Sequence, residues 1–329
     1  MTSPERRSLS VNRSEADSLS TARLLWQGLR VIRQERVAAN GIHFHVALAG
    51  KQGHPLALLL HGFPESSYSW RGQLEKLSEN LLVAAPDLRG YGKSDKPPRV
   101  SDYRVGVLAA DARALIHALG YEQAFVAGHD WGGAIAWHLA SAHPECVERL
   151  AILNCPHPAV FSRALTSLDV EQIRRSLYMF FFQIPYLPER LFPPERLART
   201  IRHTAVRKDS MTEEDTAAFV ASLSASGTVG GGINYYRAIF RDLLRPSRRR
   251  ELARIWARGV VSPTMVVWGE QDPFLHLRQL EGLEAYVHST LDVRRIAGAG
   301  HWIQQEAVSE VNQALGGFFA RGGGSDDPA

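Results

Sequence analysis

Ala124-Phe125-Val126-Ala127-Gly128-His129-Asp130-Trp131-Gly132-Gly133 passes from an unbroken apolar run into a charged residue set between glycines. The run over 124–128 has the length and composition of a buried strand, and 132–142 shows the spacing of a helix. Small residues on either side of Asp130 permit the strained strand-to-helix turn that lifts a nucleophile above a sheet. Gly-x-nucleophile-x-Gly is a weak signal alone. The strand before it and the helix after it make it a strong one.

The same alternation extends in both directions. Apolar runs at 57–61, 81–85 and 150–153 read as further buried strands, with helices at 69–78 and 105–119 between them. Asn40-Gly41 between 35–39 and 42–48 is a two-residue hairpin signal. From 157 to 250 the strands stop and only helical stretches remain, at 170–182, 195–202, 213–223 and 235–244. The pattern resumes with a strand at 265–268, a helix at 277–286, a strand at 293–296 and a helix at 306–319. These signals predict an α/β fold, a mostly parallel sheet flanked by helices with an inserted helical lid. The expected division is a disordered arm over 1–20, a core over 21–156 and 251–320, a lid over 157–250 and a disordered tail over 321–329.

Composition narrows the function. Of 329 residues, 45% are apolar and 22% charged, which excludes disorder of the whole chain. No run of 18 apolar residues exists, so no membrane span is expected. Glu5, Arg6, Arg7, Arg13, Glu15 and Asp17 precede any apolar stretch and argue against a secretory signal. Cys146 and Cys155 cannot build a disulfide framework, and no metal-ligand spacing accompanies them. A reducing compartment, the cytoplasm, is the simplest expectation. The net charge of +4 is small for the length. Its one dense cluster, Arg245, Arg248, Arg249 and Arg250, reads as a solvated connecting segment, and no nucleic-acid partner is expected.

Two more motifs carry chemistry. Gly269-Glu270-Gln271-Asp272-Pro273 puts an acid after the strand at 265–268, and Gly298-Ala299-Gly300-His301-Trp302 puts an imidazole after the next strand. Parallel strands present all these ends on one edge, so Asp130, Asp272 and His301 form a candidate nucleophile, acid and base. Upstream, His61-Gly62-Phe63-Pro64 ends a strand, with Phe63-Pro64 a candidate cis peptide. The backbone N–H groups of Phe63 and Trp131 then form the expected oxyanion hole, with His61 structural. Gly90-Tyr91-Gly92-Lys93-Ser94 fails as a phosphate loop, because Asp87 stands where its first glycine belongs. Cys155 and His157 read as the structural entry to the lid, not as a catalytic pair.

These motifs resemble those of the α/β-hydrolase-fold epoxide hydrolases, over roughly residues 34–319. In that family two lid tyrosines hold the epoxide oxygen. The resemblance assigns these roles to Tyr178, in Tyr178-Met179-Phe180-Phe181-Phe182-Gln183-Ile184-Pro185, and to Tyr236, in Asn234-Tyr235-Tyr236-Arg237. Tyr235 is the neighbour one step out of register. The glycine-rich stretch 227–232 departs from the family's usual form and puts the approach of Tyr236 in question.

An aspartate nucleophile suits displacement at saturated carbon, since attack on an ester would create an anhydride. Epoxide opening yields an alkoxide that needs an O–H donor, whereas carbon–halogen cleavage yields a halide. Haloalkane dehalogenases often carry asparagine where Phe63 stands, and fluoroacetate dehalogenases carry arginines where Trp131 and Ala134 stand. The expected reaction is therefore hydrolysis of a small lipophilic epoxide by water, without cofactor or metal. A dehalogenase is the alternative, followed by a non-catalytic ligand-binding protein on the same fold. Assembly as a homodimer is left open.

Overall fold

Strands β3 (Leu56–Leu60), β4 (Leu82–Pro86) and β5 (Ala124–His129) are buried at every position. In the computed structural model they form the centre of an eight-stranded sheet, within the described residues 32–167 and 169–321. The expected arm over 1–20, and the tail beyond 321, lie outside the described residues. The remaining strands are β1 (Arg33–Ala39), β2 (Ile42–Ala49), β6 (Val147–Leu153), β7 (Thr264–Gly269) and β8 (Leu291–Ile296), in the order β1-β2-β4-β3-β5-β6-β7-β8. β1 and β2 pair antiparallel through Asn40 and Gly41, both at positive φ, and β2 pairs antiparallel with β4. All other neighbours are parallel.

Alternate residues of the central strands enter two cores, as the strand period requires. Leu58, Leu60, Val126 and Ile152 pack under α2 (Val105–Ala118) and α3 (Trp131–Ala142), which follow the short α1 (Arg71–Leu77). Leu59, Phe125, Ala127 and Leu153 face α1 and the C-terminal helix through Trp70, Leu74, Leu315 and Phe319. Covering both faces forces substrate access to the strand ends.

Between β6 and β7 run α4 (Pro158–Thr166), α5 (Val170–Arg175), α6 (Leu177–Phe181), α7 (Leu187–Leu191) and α8 (Pro194–Thr204). Then come α9 (Glu213–Leu223), α10 (Thr228–Leu244) and α11 (Pro246–Trp256). No helix among the described residues is long and apolar enough to cross a membrane.

The structure corrects several local expectations. The stretch 170–182 breaks at Ser176, where Gln172 donates to Ser176 Oγ at 3.0 Å and to the Phe274 carbonyl at 3.0 Å. The arginine cluster is no connector: it lies largely on α11, and a boundary at 250 falls inside that helix. Residues 277–286 form two 3-10 turns instead of a helix, interrupted by Gly282 at φ 80°. The stretch 306–319 is divided into α12 (Ile303–Glu306) and α13 (Val308–Ala320). The Glu306 carboxylate turns back there to accept from the N–H groups of Gly300, Trp302, Val206 and Arg207.

Helix α10 begins seven residues earlier than the sequence pattern indicates and includes the glycines at 230–232. A Cβ on Gly231 would lie 2.4 Å from the Gly90 carbonyl oxygen, and one on Gly232 would lie 2.7 Å from the Phe63 ring. These glycines let the helix carrying Tyr236 settle directly on the core. Gly231→Ala should therefore destabilise the protein in urea unfolding. Gly230→Ala, whose Cβ would meet nothing nearer than Glu189 Cγ at 4.0 Å, should stabilise it by about 1 kcal/mol through helix propensity. Equal shifts for the two variants would contradict the close-approach argument.

Candidate active site

The elbow after β5 is built by exclusion of side chains. Asp130 sits at φ 50°, ψ −119°, a conformation uncommon for a residue with a Cβ. A Cβ on Gly132 would lie 2.0 Å from the Leu60 carbonyl oxygen, and one on Gly128 would lie 2.3 Å from that of Gly132. Only glycine lets strand, turn and helix approach this closely. The turn lifts the Asp130 carboxylate above the strand ends, where it stays 16% exposed.

The other predicted residues gather around it. The Phe63 N–H donates to Asp130 Oδ1 at 2.9 Å, and the Trp131 N–H is near enough to favour this carboxylate's charge. Phe63-Pro64 is cis. His301 Nε2 lies 3.7 Å from Asp130 Oδ2, too far for a hydrogen bond, and its Nδ1 lies 2.7 Å from Asp272 Oδ2. Asp272 Oδ1 accepts from the N–H groups of Phe274 at 2.7 Å and Leu275 at 2.9 Å.

Burial dominates the electrostatics and is partly countered by charge. It pushes Asp130 above the usual carboxylate range, against the pull of His301 and the two N–H donors. Burial also disfavours charge on Asp272, but His301, Asn154 and Leu275 together hold its carboxyl below that range. For His301 burial opposes the cation, yet the charges of Asp272 and Asp130 and the Asp272 hydrogen bond push its pKa up to about 9.

The two tyrosines face the carboxylate from the lid. Asp130, Trp131, Tyr178 and Tyr236 line one apolar cavity of about 220 Å³, together with residues such as Phe161 and Leu165. Tyr178 and Tyr236 rings meet edge to face at 5.8 Å, and Tyr236 stands at 5.0 Å on Trp131. Burial first, and then the nearby carboxylate charge of Asp130, pushes both hydroxyls above their ordinary pKa, so both remain O–H donors. Tyr235 turns the other way and donates to the Arg89 carbonyl at 2.8 Å.

His61 is structural: Nε2 accepts from the Leu88 N–H at 3.0 Å, and Nδ1 contacts the Gly62 carbonyl at 2.9 Å. Cys155 lines the cavity, and the His157 ring stacks on Tyr286 at 4.3 Å, away from it.

Three positioning residues escape the sequence reading. Asn154, at φ 40° after β6, donates to Asp272 Oδ2 at 2.7 Å and accepts from the Gly269 N–H at 2.9 Å. Its place at a strand's carboxyl end was the available signal. Glu65, wholly buried, accepts from the Gly62 N–H at 2.9 Å and from Gln304 and Gln305 at 2.8 and 3.0 Å. His129 lies 2.7 Å from Glu65 through Nδ1 and 2.8 Å from the His301 carbonyl through Nε2. A charged residue one step beyond Pro64 has no periodicity to betray burial. Glu65 thus ties the oxyanion loop to the loop that carries the base.

A parallel sheet with this elbow and a lid above its strand ends is an α/β-hydrolase architecture, and the alpha/beta hydrolase fold family model matches residues 55–308. Epoxide hydrolase 4 of Mus musculus is 36% identical over 292 residues, covering 86% of this chain and 78% of that protein. Epoxide hydrolase 3 of Xenopus tropicalis is 36% identical over 294 residues, covering 86% and 76%. The solved structure of the Bacillus megaterium epoxide hydrolase with an inhibitor superposes with a TM-score of 0.77 at 31% identity, covering 87% of this chain and all of that one. The chain belongs to the epoxide hydrolase family of the α/β-hydrolase superfamily.

Removing Glu65 breaks a fully buried pair. Glu65→Gln should lower unfolding stability by about 3–5 kcal/mol, because the His129 side chain is left without its carboxylate. Urea titration measures this, and a loss under 1 kcal/mol would show that the pair is not a structural tie.

Proposed function

We propose that the protein converts a lipophilic epoxide and water to a vicinal diol through an alkyl ester on Asp130. The observation that carries this reading is the pair of protonated phenols, Tyr178 and Tyr236, lining the same cavity as the Asp130 carboxylate. Asp130 Oδ2 attacks a ring carbon, the carbon–oxygen bond breaks, and the departing oxygen takes a proton from a tyrosine that solvent then reprotonates. The ester has no charge. With the Asp130 anion gone, burial pulls His301 back toward its neutral form as it gives its proton to solvent, and Nε2 can accept a proton from water. The hydroxide attacks the Asp130 carbonyl carbon, and the oxyanion is held by the Phe63 and Trp131 N–H groups. Collapse expels the diol oxygen, which receives the proton from His301. The two cysteines, both free and buried, fit a reducing compartment such as the cytoplasm.

Tyr178→Phe and Tyr236→Phe should each slow epoxide opening by roughly two to three orders of magnitude, the scale of losing one oxyanion donor. The double variant should fall further. Tyr235→Phe should leave the opening rate alone and reduce stability by about 1 kcal/mol, since it orphans the Arg89 carbonyl. Full opening rates in both Tyr178→Phe and Tyr236→Phe would remove the two residues that discriminate epoxide opening from dehalogenation.

His301→Gln should still be alkylated and accumulate one substrate mass on the peptide containing Asp130, as read by intact and peptide mass spectrometry. Substrate binding without adduct would reject the assigned step. Alkylation requires the Asp130 anion, so its single-turnover rate should fall as pH drops through the Asp130 pKa. Because burial raises that pKa, the midpoint should lie above about 3.9, the value for an ordinary aspartate. A rate unchanged down to that pH would contradict the raised value.

A further inference from the structure

Leu177 and Phe180, three residues apart on α6, are 57% and 48% exposed. Exposed side chains of this kind carry information only where they form a patch. Here they do. The Phe180 ring meets Phe240 of α10 edge to face at 5.1 Å, and Leu244, 77% exposed, follows Phe240 one turn later. Together the four make one apolar ridge across two lid helices. Arg237 holds those helices together by donating to the Phe182 and Ile184 carbonyls at 3.0 and 2.8 Å. Phe240 also lines the cavity over Asp130, so the ridge is the outer side of that cavity's wall.

Positive charge gathers at the Leu244 end of the ridge. Residues 241–258 hold seven arginines against two acids, a net +5 where the whole chain carries +4. Both acids are committed, Asp242 to Arg104 at 3.1 Å and Glu251 to Arg248 at 2.8 Å. Arg241 and Arg245 are exposed on either side of Leu244 and line a depression of about 380 Å³ with Arg99 and Arg104. Arg99, Arg241 and Arg245 make no ion pair among the described residues. Like charges gathered without acids repel one another, and an anionic surface relieves that repulsion.

The ridge and its basic flank match a partner with an apolar interior and an anionic surface. A second copy meeting this face by two-fold symmetry would bring another set of the same arginines to one interface. A nucleic-acid backbone would satisfy the arginines and leave the ridge in water. An anionic bilayer satisfies both, and a surface contact needs no spanning helix. We propose that this lid face docks on an anionic membrane: Leu177, Phe180 and Leu244 enter the headgroup layer, Arg99, Arg241 and Arg245 face the lipid phosphates, and lipophilic substrate reaches the cavity from the bilayer. Only the last of these clauses rests on the epoxide-hydrolase reading.

Co-sedimentation of the full chain with vesicles reads the docking without turnover. Vesicles of phosphatidylcholine with phosphatidylglycerol should bind roughly tenfold more tightly than phosphatidylcholine alone at low salt, and this preference should shrink in high salt. Arg241→Gln with Arg245→Gln should weaken binding to the anionic vesicles roughly twentyfold, about fivefold for each arginine. Arg33→Gln with Arg36→Gln removes the same charge from strand β1 and should cost about twofold at most. Leu177→Ser with Leu244→Ser should lower the binding that survives high salt about tenfold. Carried in the anionic vesicles, the terminal epoxide of octadecene should lose turnover in the Arg241→Gln, Arg245→Gln variant in proportion to binding, while the epoxide of butene in water keeps its rate. No preference for anionic vesicles, or equal losses from the two arginine pairs, overturns the docking and leaves the hydrolase reading intact. A dimer in sedimentation velocity that Leu177→Ser with Leu244→Ser dissociates assigns the ridge to a second copy and also overturns it. Vesicle binding without turnover of either epoxide upholds the docking and overturns the delivery of substrate.

Discussion

The backbone of Asp130 is the constraint on which the rest of the site depends. Its φ of 50° and ψ of −119° cost a non-glycine residue on the order of 1–3 kcal/mol, and the surroundings must over-determine such a state. They do so through carbonyls. The Leu60 oxygen, at the end of the neighbouring strand, occupies the space a Cβ on Gly132 would need, and Cys155 crowds Gly133 from the next strand's end. Gly62 is subject to the same restriction from the reacting group itself: its Cβ would fall 2.5 Å from Asp130 Oδ1. That close approach is what brings the Phe63 N–H onto the carboxylate. Elbow and oxyanion loop are one packing solution.

Charge then links the loops that packing has brought together. A buried carboxylate persists only when its lone pairs are filled. Glu65 meets this requirement with donors from its own loop, from His129 in the elbow and from two glutamines behind His301, which is why its pKa is held down at about 2 despite burial. Asp272 meets it with His301, Asn154 and two backbone N–H groups. Each carboxylate joins segments far apart in sequence, and the imidazole between them acquires a defined place. Lid and core share this arrangement, since Arg175 of α5 donates to the Asp272 carbonyl.

Residues that obey a local rule were legible from the chain. The run 124–128 is apolar throughout because helices cover both its faces, and Asn40-Gly41 announces a hairpin because both positions need positive φ. The helical run 277–286 misled because periodicity ignores Gly282, whose left-handed backbone interrupts the crossover. The glycines at 230–232 fall outside the expected helix at 235–244, yet two of them are needed for contacts with Gly90 and Phe63, residues over a hundred positions away. Glu65 escapes for the same reason: its partners are distant in sequence and no spacing encodes them, while Asn154 offers only its place at a strand's end. Tyr178 and Tyr236 came only through resemblance to a family, and the two hydroxyl directions of Tyr235 and Tyr236 required three dimensions.

The same burial sets the chemistry's order. An apolar cavity makes the Asp130 anion poorly solvated and hence reactive, but also raises its pKa, so the site needs a compensating cation nearby. His301 is that cation while Asp130 and Asp272 are both charged. A cationic imidazole cannot accept a proton, so in the proposed mechanism water activation is withheld until the substrate has esterified Asp130 and removed one of the charges that sustain it. The 3.7 Å gap between His301 Nε2 and Asp130 Oδ2 is consistent with this sequence, because the two groups attract without sharing a proton. In the proposed mechanism Tyr178 and Tyr236 stand outside that exchange: burial keeps both phenols protonated until the ring opens, so they serve the first step and do not compete with His301 for water in the second.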